Sequence, residues 1–327
     1  MKDRASRQPS LPYVVEDCLG LLQVLSDGTV LRFSPPPFPA GAAYDDGRVE
    51  WQDAVYDAGN NLGVRMYRPT TRSGAGAAAE HTKKKKLLPV LVYFPGGGFC
   101  FGSYSYPKNH ALCLRFAAEL PAVVCSFDHR LPAAFEDAMA ALLWLPGQVL
   151  RSPWLAGRAD PGRVFVSGTS SGACIAHQMA ARFGTTGLRP LEIAGYILLM
   201  PYFLSEEATP SELSTPETAL LSRERSDMYV RLAMPAEWNK DHPLVNPFGP
   251  YSSSLALAAA DVGRVLVVAA ECDLVRDKNL EYAQRIKALG KDVRLALFPG
   301  QEHAFCANKP LSAAADEVIR LMKRFIL

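Results

Sequence analysis

Arg163-Val164-Phe165-Val166-Ser167-Gly168-Thr169-Ser170-Ser171-Gly172 leads into the helix-forming run Ala173 to Phe183. The apolar residues read as a strand, and the strand breaks at a Gly-x-Ser-x-Gly turn that opens a helix. With small residues on both sides of Ser170, the backbone can reverse sharply and lift the hydroxyl clear of the sheet edge. There it stands over a helix N-terminus, where negative charge is favoured. Ser170 is the candidate nucleophile.

Outward from this turn, short apolar runs alternate with longer helical patterns. Strands are expected at Val90 to Phe94, Ala122 to Phe127, Ile193 to Met200, Val265 to Ala270 and Val293 to Phe298. Between and after them, helices are expected at Asn109 to Leu120, Pro132 to Trp144, Asn279 to Leu289 and Ala313 to Phe325. This rhythm predicts βαβ units: a mostly parallel sheet covered on both faces, hence an α/β fold. Leu204 to Asn239 departs from it, with many charges and a few large apolar residues such as Met228, Tyr229 and Trp238. That segment reads as an inserted helical cap over the strand ends, of the kind that shapes a pocket.

Towards the N-terminus, Leu21 to Leu25 and Thr29 to Phe33 flank Ser26-Asp27-Gly28, a hairpin signal, and Gly63 to Arg68 alternates like a half-buried strand. The Gly/Ala-rich stretch from Thr70 ends in Lys83 to Lys86 and reads as a solvated loop, with nuclear import as the alternative.

The 327 residues are 49% hydrophobic and 21% charged, an ordinary balance for a chain with a sizeable core. Lys+Arg 35 against Asp+Glu 33 leaves a formal charge of +2, too little to point to a nucleic acid or an anionic membrane. A small-molecule ligand is the expectation. Seven scattered cysteines without C-x-x-C spacing argue against a disulfide framework and against zinc. The polar start and the lack of any apolar stretch of roughly 20 residues predict a soluble, cytoplasmic protein.

A serine hydroxyl needs a base to take its proton and a third group to orient that base. Of the two histidines beyond the helix that follows Ser170, His303 lies between the last expected strand and the closing helix, while His242 sits beside Pro243 in the polar segment. His303 is therefore the candidate base. Val265 to Ala270 ends in Glu271-Cys272-Asp273, which makes Asp273 the candidate acid and Glu271 the reserve. Val90 to Phe94 runs into Pro95-Gly96-Gly97-Gly98-Phe99, where the N–H groups of Gly97 and Gly98, with that of Ser171, are candidate oxyanion donors worth roughly 3 kcal/mol each. A dinucleotide loop fails on spacing, since its third glycine would fall at Phe101. His177, inside the helix after Ser170, reads as structural, and Asp128 and His129 as loop and packing residues.

At these residues the chain resembles the plant carboxylesterase family of hormone-sensitive-lipase-like α/β-hydrolases, which also contains the gibberellin receptors. Further residues that carry the resemblance are Glu16 to Ser26, Gly96 to Ser103, Arg130 to Ala134 with Glu136-Asp137-Ala138, and Asn246 to Pro250. It is most similar to the carboxylesterase 15-like branch, some members of which cleave the hormone strigolactone. The resemblance implies a single α/β-hydrolase domain across residues 1–327, with a cap from about residues 1–20 and 204–239. It also implies cofactor-free hydrolysis of an ester or strigolactone-like enol ether of an apolar small molecule. A receptor-type, non-catalytic protein is the alternative, although gibberellin receptors have lost the histidine that His303 would supply. Three departures stand out: Pro95 replaces a histidine, Thr169 and Ala173 replace the aspartate and last glycine of Gly-Asp-Ser-x-Gly-Gly, and Asp128 to Ala134 is shortened. That last segment normally packs under the oxyanion loop.

Overall fold

The computed structural model describes residues 11–34, 45–70, 87–129, 133–235 and 237–327, and the chain divides into two compact units, Met1–Pro37 and Phe38–Leu327. In the first, β1 (Val14–Cys18), β2 (Leu22–Leu25) and β3 (Val30–Arg32) form an antiparallel sheet in chain order. The expected hairpin is present, with Gly28 at φ +85° and its N–H donating to the Leu25 carbonyl at 2.9 Å. Strand β1 was not foreseen. Of the cap contribution expected from residues 1–20, residues 1–10 lie outside the described residues.

The second unit is built on β4 (Val49–Asp57), β5 (Leu62–Pro69), β6 (Leu88–Phe94), β7 (Val123–Phe127), β8 (Ala159–Thr169), β9 (Ile193–Leu199), β10 (Arg264–Ala270) and β11 (Asp292–Phe298). They form one eight-stranded sheet in the order β11-β10-β9-β8-β6-β7-β5-β4. The six strands from β11 to β7 in that order are parallel, while β5 pairs antiparallel with both β7 and β4. Parallel neighbours require crossovers, and α1 (Pro107–Glu119), α2 (Ala134–Arg151), α3 (Ser171–Thr186) and α7 (Arg276–Ala288) supply all but the one from β9 to β10, which is made by the longer segment between those strands. The chain closes with α8 (Phe305–Asn308) and α9 (Ala313–Ile326).

On one face, Leu91, Tyr93, Val124, Phe165, Ile197, Leu199, Leu266 and Val268 share an apolar cluster with Phe116 of α1 and Val318, Met322 and Phe325 of α9. The intervening positions, Val90, Val92, Val164, Val166, Leu198 and Val267, are buried as well, because α3 packs on the other face. Double burial explains why these strands read as continuous apolar runs instead of alternating. The strand bearing Ser170 is thereby flanked on both edges and covered on both faces, a rigid base for a strained turn.

Two boundaries moved by four residues or more. Helix α2 runs on through Pro146 to Arg151, because Leu145 and Val149 stay buried on the face that Ala138, Ala141 and Leu142 already occupy. Strand β8 begins at Ala159, which pairs with Leu88 ahead of the expected start. The segment expected as a cap contains two helices, α4 (Pro210–Ser214) and α5 (Arg223–Ala233), and α6 (Ser254–Ala259) lies between it and β10. Thr209 and Glu212 form a capping box on α4, and the Ser222 hydroxyl accepts from the Arg225 N–H at 3.3 Å on α5. Among the described residues no helix is long and apolar enough to cross a membrane, and Lys83 to Lys86 lie outside them.

Candidate active site

The turn after β8 is as tight as its sequence demands. A Cβ on Gly168 would fall 2.1 Å from the Gly172 carbonyl oxygen, and one on Gly172 would fall 2.0 Å from that of Phe94. Only glycine fits either position. Ser170 sits at φ +57° and ψ −122°, a conformation that costs a non-glycine residue on the order of 1–3 kcal/mol. Hydrogen bonds hold it there: Ser170 N–H donates to the Leu199 carbonyl at 2.9 Å, and the Ser170 carbonyl accepts from Ala173 at 2.9 Å and Tyr202 at 3.2 Å. The preceding Thr169 is anchored by a 2.9 Å hydrogen bond between its Oγ1 and the buried Tyr93 hydroxyl.

Into this turn comes a loop from the far edge of the parallel run. The Ser170 Oγ–H points to His303 Nε2 at 2.7 Å, and His303 Nδ1–H points to Asp273 Oδ2 at 2.8 Å. The second oxygen of Asp273 accepts from the Val275 N–H at 3.2 Å, which fixes the carboxylate at the start of α7. All three are shielded, Ser170 being 7%, His303 6% and Asp273 2% exposed, so their interactions are little screened by water. A carboxylate that only accepts keeps the proton on Nδ1 and leaves the Nε2 lone pair facing the hydroxyl. Chemically, the set can take a proton from Ser170 and return it.

Glu271, the reserve acid, does something else. It is exposed, and its Oε2 accepts from the Gly300 N–H at 2.7 Å, pinning the loop that carries His303. Cys272 N–H adds a second tie to the Gln301 carbonyl at 2.8 Å.

The glycine loop seats on the same turn. A Cβ on Gly96 would lie 2.7 Å from the Thr169 carbonyl oxygen and 3.1 Å from Ser170 Cβ, so this backbone packs against the Ser170 turn. Gly97 and Gly98 have φ of +151° and +60°, and the Gly97 carbonyl accepts from both Cys100 and Phe101 at 2.9 and 3.1 Å. Among the described residues, the N–H groups of Gly97, Gly98 and Ser171 donate to no protein acceptor.

The other residues singled out have structural partners. His177 Nδ1 meets the Tyr282 hydroxyl at 2.8 Å, joining α3 to α7, and burial pulls its pKa down to about 4. His242 stacks on Trp238 at 3.7 Å, and its Nδ1 accepts from the Leu244 N–H. The Asp128 carboxylate accepts from the Tyr104 N–H at 3.2 Å, and burial raises its pKa. His129 is half-buried with its Nδ1 shielded from solvent, desolvation lowers its pKa to about 4, and residues 130–132 of the shortened segment lie outside the described residues. No cluster of His, Cys, Asp or Glu suited to a metal ion occurs among the described residues. Sequence reasoning missed Tyr202, whose N–H donates to the Ser170 carbonyl and whose ring faces Phe99 and Tyr229. It follows an ordinary strand end and carries no motif.

A family model described as "alpha/beta hydrolase fold" matches residues 91–307. An Arabidopsis thaliana protein named "Probable carboxylesterase 6" is 34% identical over 300 residues, covering 89% of this chain and 84% of that protein. "Gibberellin receptor GID1B" of the same species is 32% identical over 278 residues, covering 78% and 75%. Among solved structures, a hyperthermophilic esterase of the archaeon Pyrobaculum calidifontis superimposes with a TM-score of 0.69 at 27% identity, covering 86% of this chain and 83% of that one.

Proposed function

This chain belongs to the alpha/beta hydrolase family, and from that premise we propose that it is a serine carboxylesterase acting through an acyl-enzyme on Ser170. The observation that carries the reading is the unbroken relay from Ser170 Oγ through His303 to Asp273, at 2.7 and 2.8 Å. Ser170 Oγ attacks the ester carbonyl as His303 Nε2 takes its proton, and Asp273 stabilises the resulting imidazolium. The N–H groups of Gly97, Gly98 and Ser171 bind the oxygen that becomes negative. His303 then protonates the departing alcohol oxygen, leaving Ser170 acylated. Water, deprotonated by the same imidazole, attacks the acyl carbon and releases the acid. Water is the only co-substrate this sequence of steps needs.

For the substrate we infer an ester of an apolar small molecule, with a strigolactone-like enol ether as the finer assignment. Phe101, whose ring meets that of the buried Tyr229 edge to face at 5.9 Å beside the glycine loop, supplies apolar surface there. Purified protein should release p-nitrophenol from short-chain p-nitrophenyl esters, and Ser170→Ala should abolish release. Equal, background-level rates in the two proteins would refute the enzyme reading. Incubation with a synthetic strigolactone, followed by mass spectrometry of the Ser170 peptide, tests the finer assignment. An unmodified peptide and intact substrate would rule it out.

A receptor-type reading draws on the likeness to a gibberellin receptor and on Pro95, which offers the glycine loop no side-chain hydrogen bond. His303 within bonding distance of Ser170 favours hydrolysis. Ligand-dependent thermal stabilisation without any product would reverse the preference.

A further inference from the structure

Amide donors stabilise a developing oxyanion only if they are already fixed where the charge appears. Three successive glycines are the most mobile backbone a chain can offer, so a loop built on Gly96-Gly97-Gly98 must be held from outside. One side is held by the seating of Gly96 on Thr169. Pro95 contributes no side-chain hydrogen bond, and the remaining hold comes from α5.

The ring of Tyr229 lies against Gly98 so closely that a Cβ there would fall 2.4 Å from Tyr229 Cγ. Beside it, Cys100 Sγ–H reaches the Gly98 carbonyl at 3.4 Å and the Tyr229 carbonyl at 3.7 Å, tying loop and helix by the same atom. The helix is in turn tied to the nucleophile. Tyr202, whose N–H donates to the Ser170 carbonyl at 3.2 Å, places its hydroxyl 2.6 Å from Ser226 Oγ and 3.0 Å from the Ser226 carbonyl, one turn before Tyr229. Ser226 and Tyr229 are the buried residues of α5. The buried aromatic ring of this helix lies against the glycine loop and faces Tyr202 and Phe101.

We propose that Tyr229, with Cys100 and Tyr202, positions the Gly97 and Gly98 amides relative to Ser170, so that the inserted segment completes the oxyanion site from outside the sheet. The proposal rests on the carboxylesterase reading. All three are positioning residues, since their work is done through the loop and the Ser170 turn.

The test compares kcat and KM for p-nitrophenyl butyrate, and the affinity of phenylboronic acid as a tetrahedral adduct, across wild type, Tyr229→Leu, Tyr229→Phe and Cys100→Ala. Displacing donors by about 1 Å costs on the order of 100-fold, so Tyr229→Leu should lose about 10- to 100-fold in kcat with KM within about 3-fold. Boronate affinity should fall in parallel. Tyr229→Phe, which keeps the ring over Gly98, should recover most of kcat, and Cys100→Ala should lie between. Should Tyr229→Leu fail to fold, as judged by its thermal transition, Cys100→Ala carries the test with the same expected split. An active wild type with folded variants that keep kcat and boronate affinity overturns the proposal, as does a change confined to KM. A wild type that hydrolyses no ester overturns the carboxylesterase reading itself and the proposal with it.

Discussion

His303 Nε2 lies 2.7 Å from Ser170 Oγ although 133 positions separate the two residues in sequence and two strands separate their elements in the sheet. From β11 to β8 is three strand spacings, about 14 Å at roughly 4.8 Å each, so the imidazole must be carried back across β10 and β9. The loop after β11 does this with Gly300 at φ +64° and Ala304 at φ +53°, and its return is pinned by Glu271 and Cys272. The approach of His303 to Ser170 is a product of the tertiary fold. It follows that damage to the relay can be chemical without being structural.

Asp273→Asn is the sharpest such change. The carboxamide keeps the size of the carboxylate, but its N–H₂ can donate to His303 Nδ1 and so move the ring proton to Nε2. An Nε2–H cannot take a proton from Ser170. Loss of the correct tautomer costs on the order of 10⁴-fold in a serine-histidine-aspartate hydrolase, and kcat for a p-nitrophenyl ester should fall accordingly. Retention of more than about a tenth of the rate would remove Asp273 from the relay.

Tyr93→Phe probes the support under the turn. The Tyr93 phenol is fully buried, desolvation holds its pKa well above the usual range, and it bonds Thr169 Oγ1 at 2.9 Å. Removing it strands a buried hydroxyl at a cost of about 1–3 kcal/mol, read as a lower urea midpoint. Tyr93→Phe combined with Thr169→Val removes both partners and should recover part of that loss. Strict additivity of the two single changes would show that the pair is not coupled.

Most of this architecture is legible because doubly buried strands advertise themselves as apolar runs, and because the Ser170 turn tolerates only glycine at 168 and 172. Edge strands do not advertise themselves. In β4, Trp51 and Val55 are exposed and Glu50 and Gln52 half-buried, so polarity does not follow the pleat. Helix α2 outlasts its proline because burial of Leu145 and Val149 outweighs one lost hydrogen bond. In the candidate site, Ser170, Asp273 and His303 were each named from the ends of predicted strands. Sequence position does not decide between Asp273 and Glu271, because both follow the same strand end and the turn sets which carboxylate faces His303. The contacts of Tyr202 and Tyr229 lay beyond reach, since tyrosines in irregular or polar segments reveal nothing of what they touch.

Gly172→Ala separates steric demand from backbone preference. The added methyl would meet the Phe94 carbonyl at 2.0 Å, where neither β6 nor the start of α3 can yield without moving Ser170. Activity should be lost, and stability should drop by several kcal/mol, in the range of severe overpacking. Gly290→Ala is the control: its φ is +77°, but a Cβ there meets nothing within 4 Å. It should cost only about 1–2 kcal/mol and leave kcat unchanged.

Acid should unfold the protein in a window set by its desolvated imidazoles. His177 and His129 are held neutral by desolvation, with pKa values lowered from 6.5 to about 4. Between those values the unfolded chain binds a proton at each position that the native protein refuses, so stability falls as pH drops from about 6.5 towards 4 and is steady above. Each group contributes at most about 3 to 4 kcal/mol, taking the difference of about 2.5 pH units at roughly 1.4 kcal/mol per unit. His177→Asn keeps a polar atom near the Tyr282 hydroxyl and removes one titrating group. Urea midpoints between pH 4 and 8 should therefore fall less steeply for His177→Asn than for wild type. Parallel curves would mean that His177 takes up its proton without unfolding.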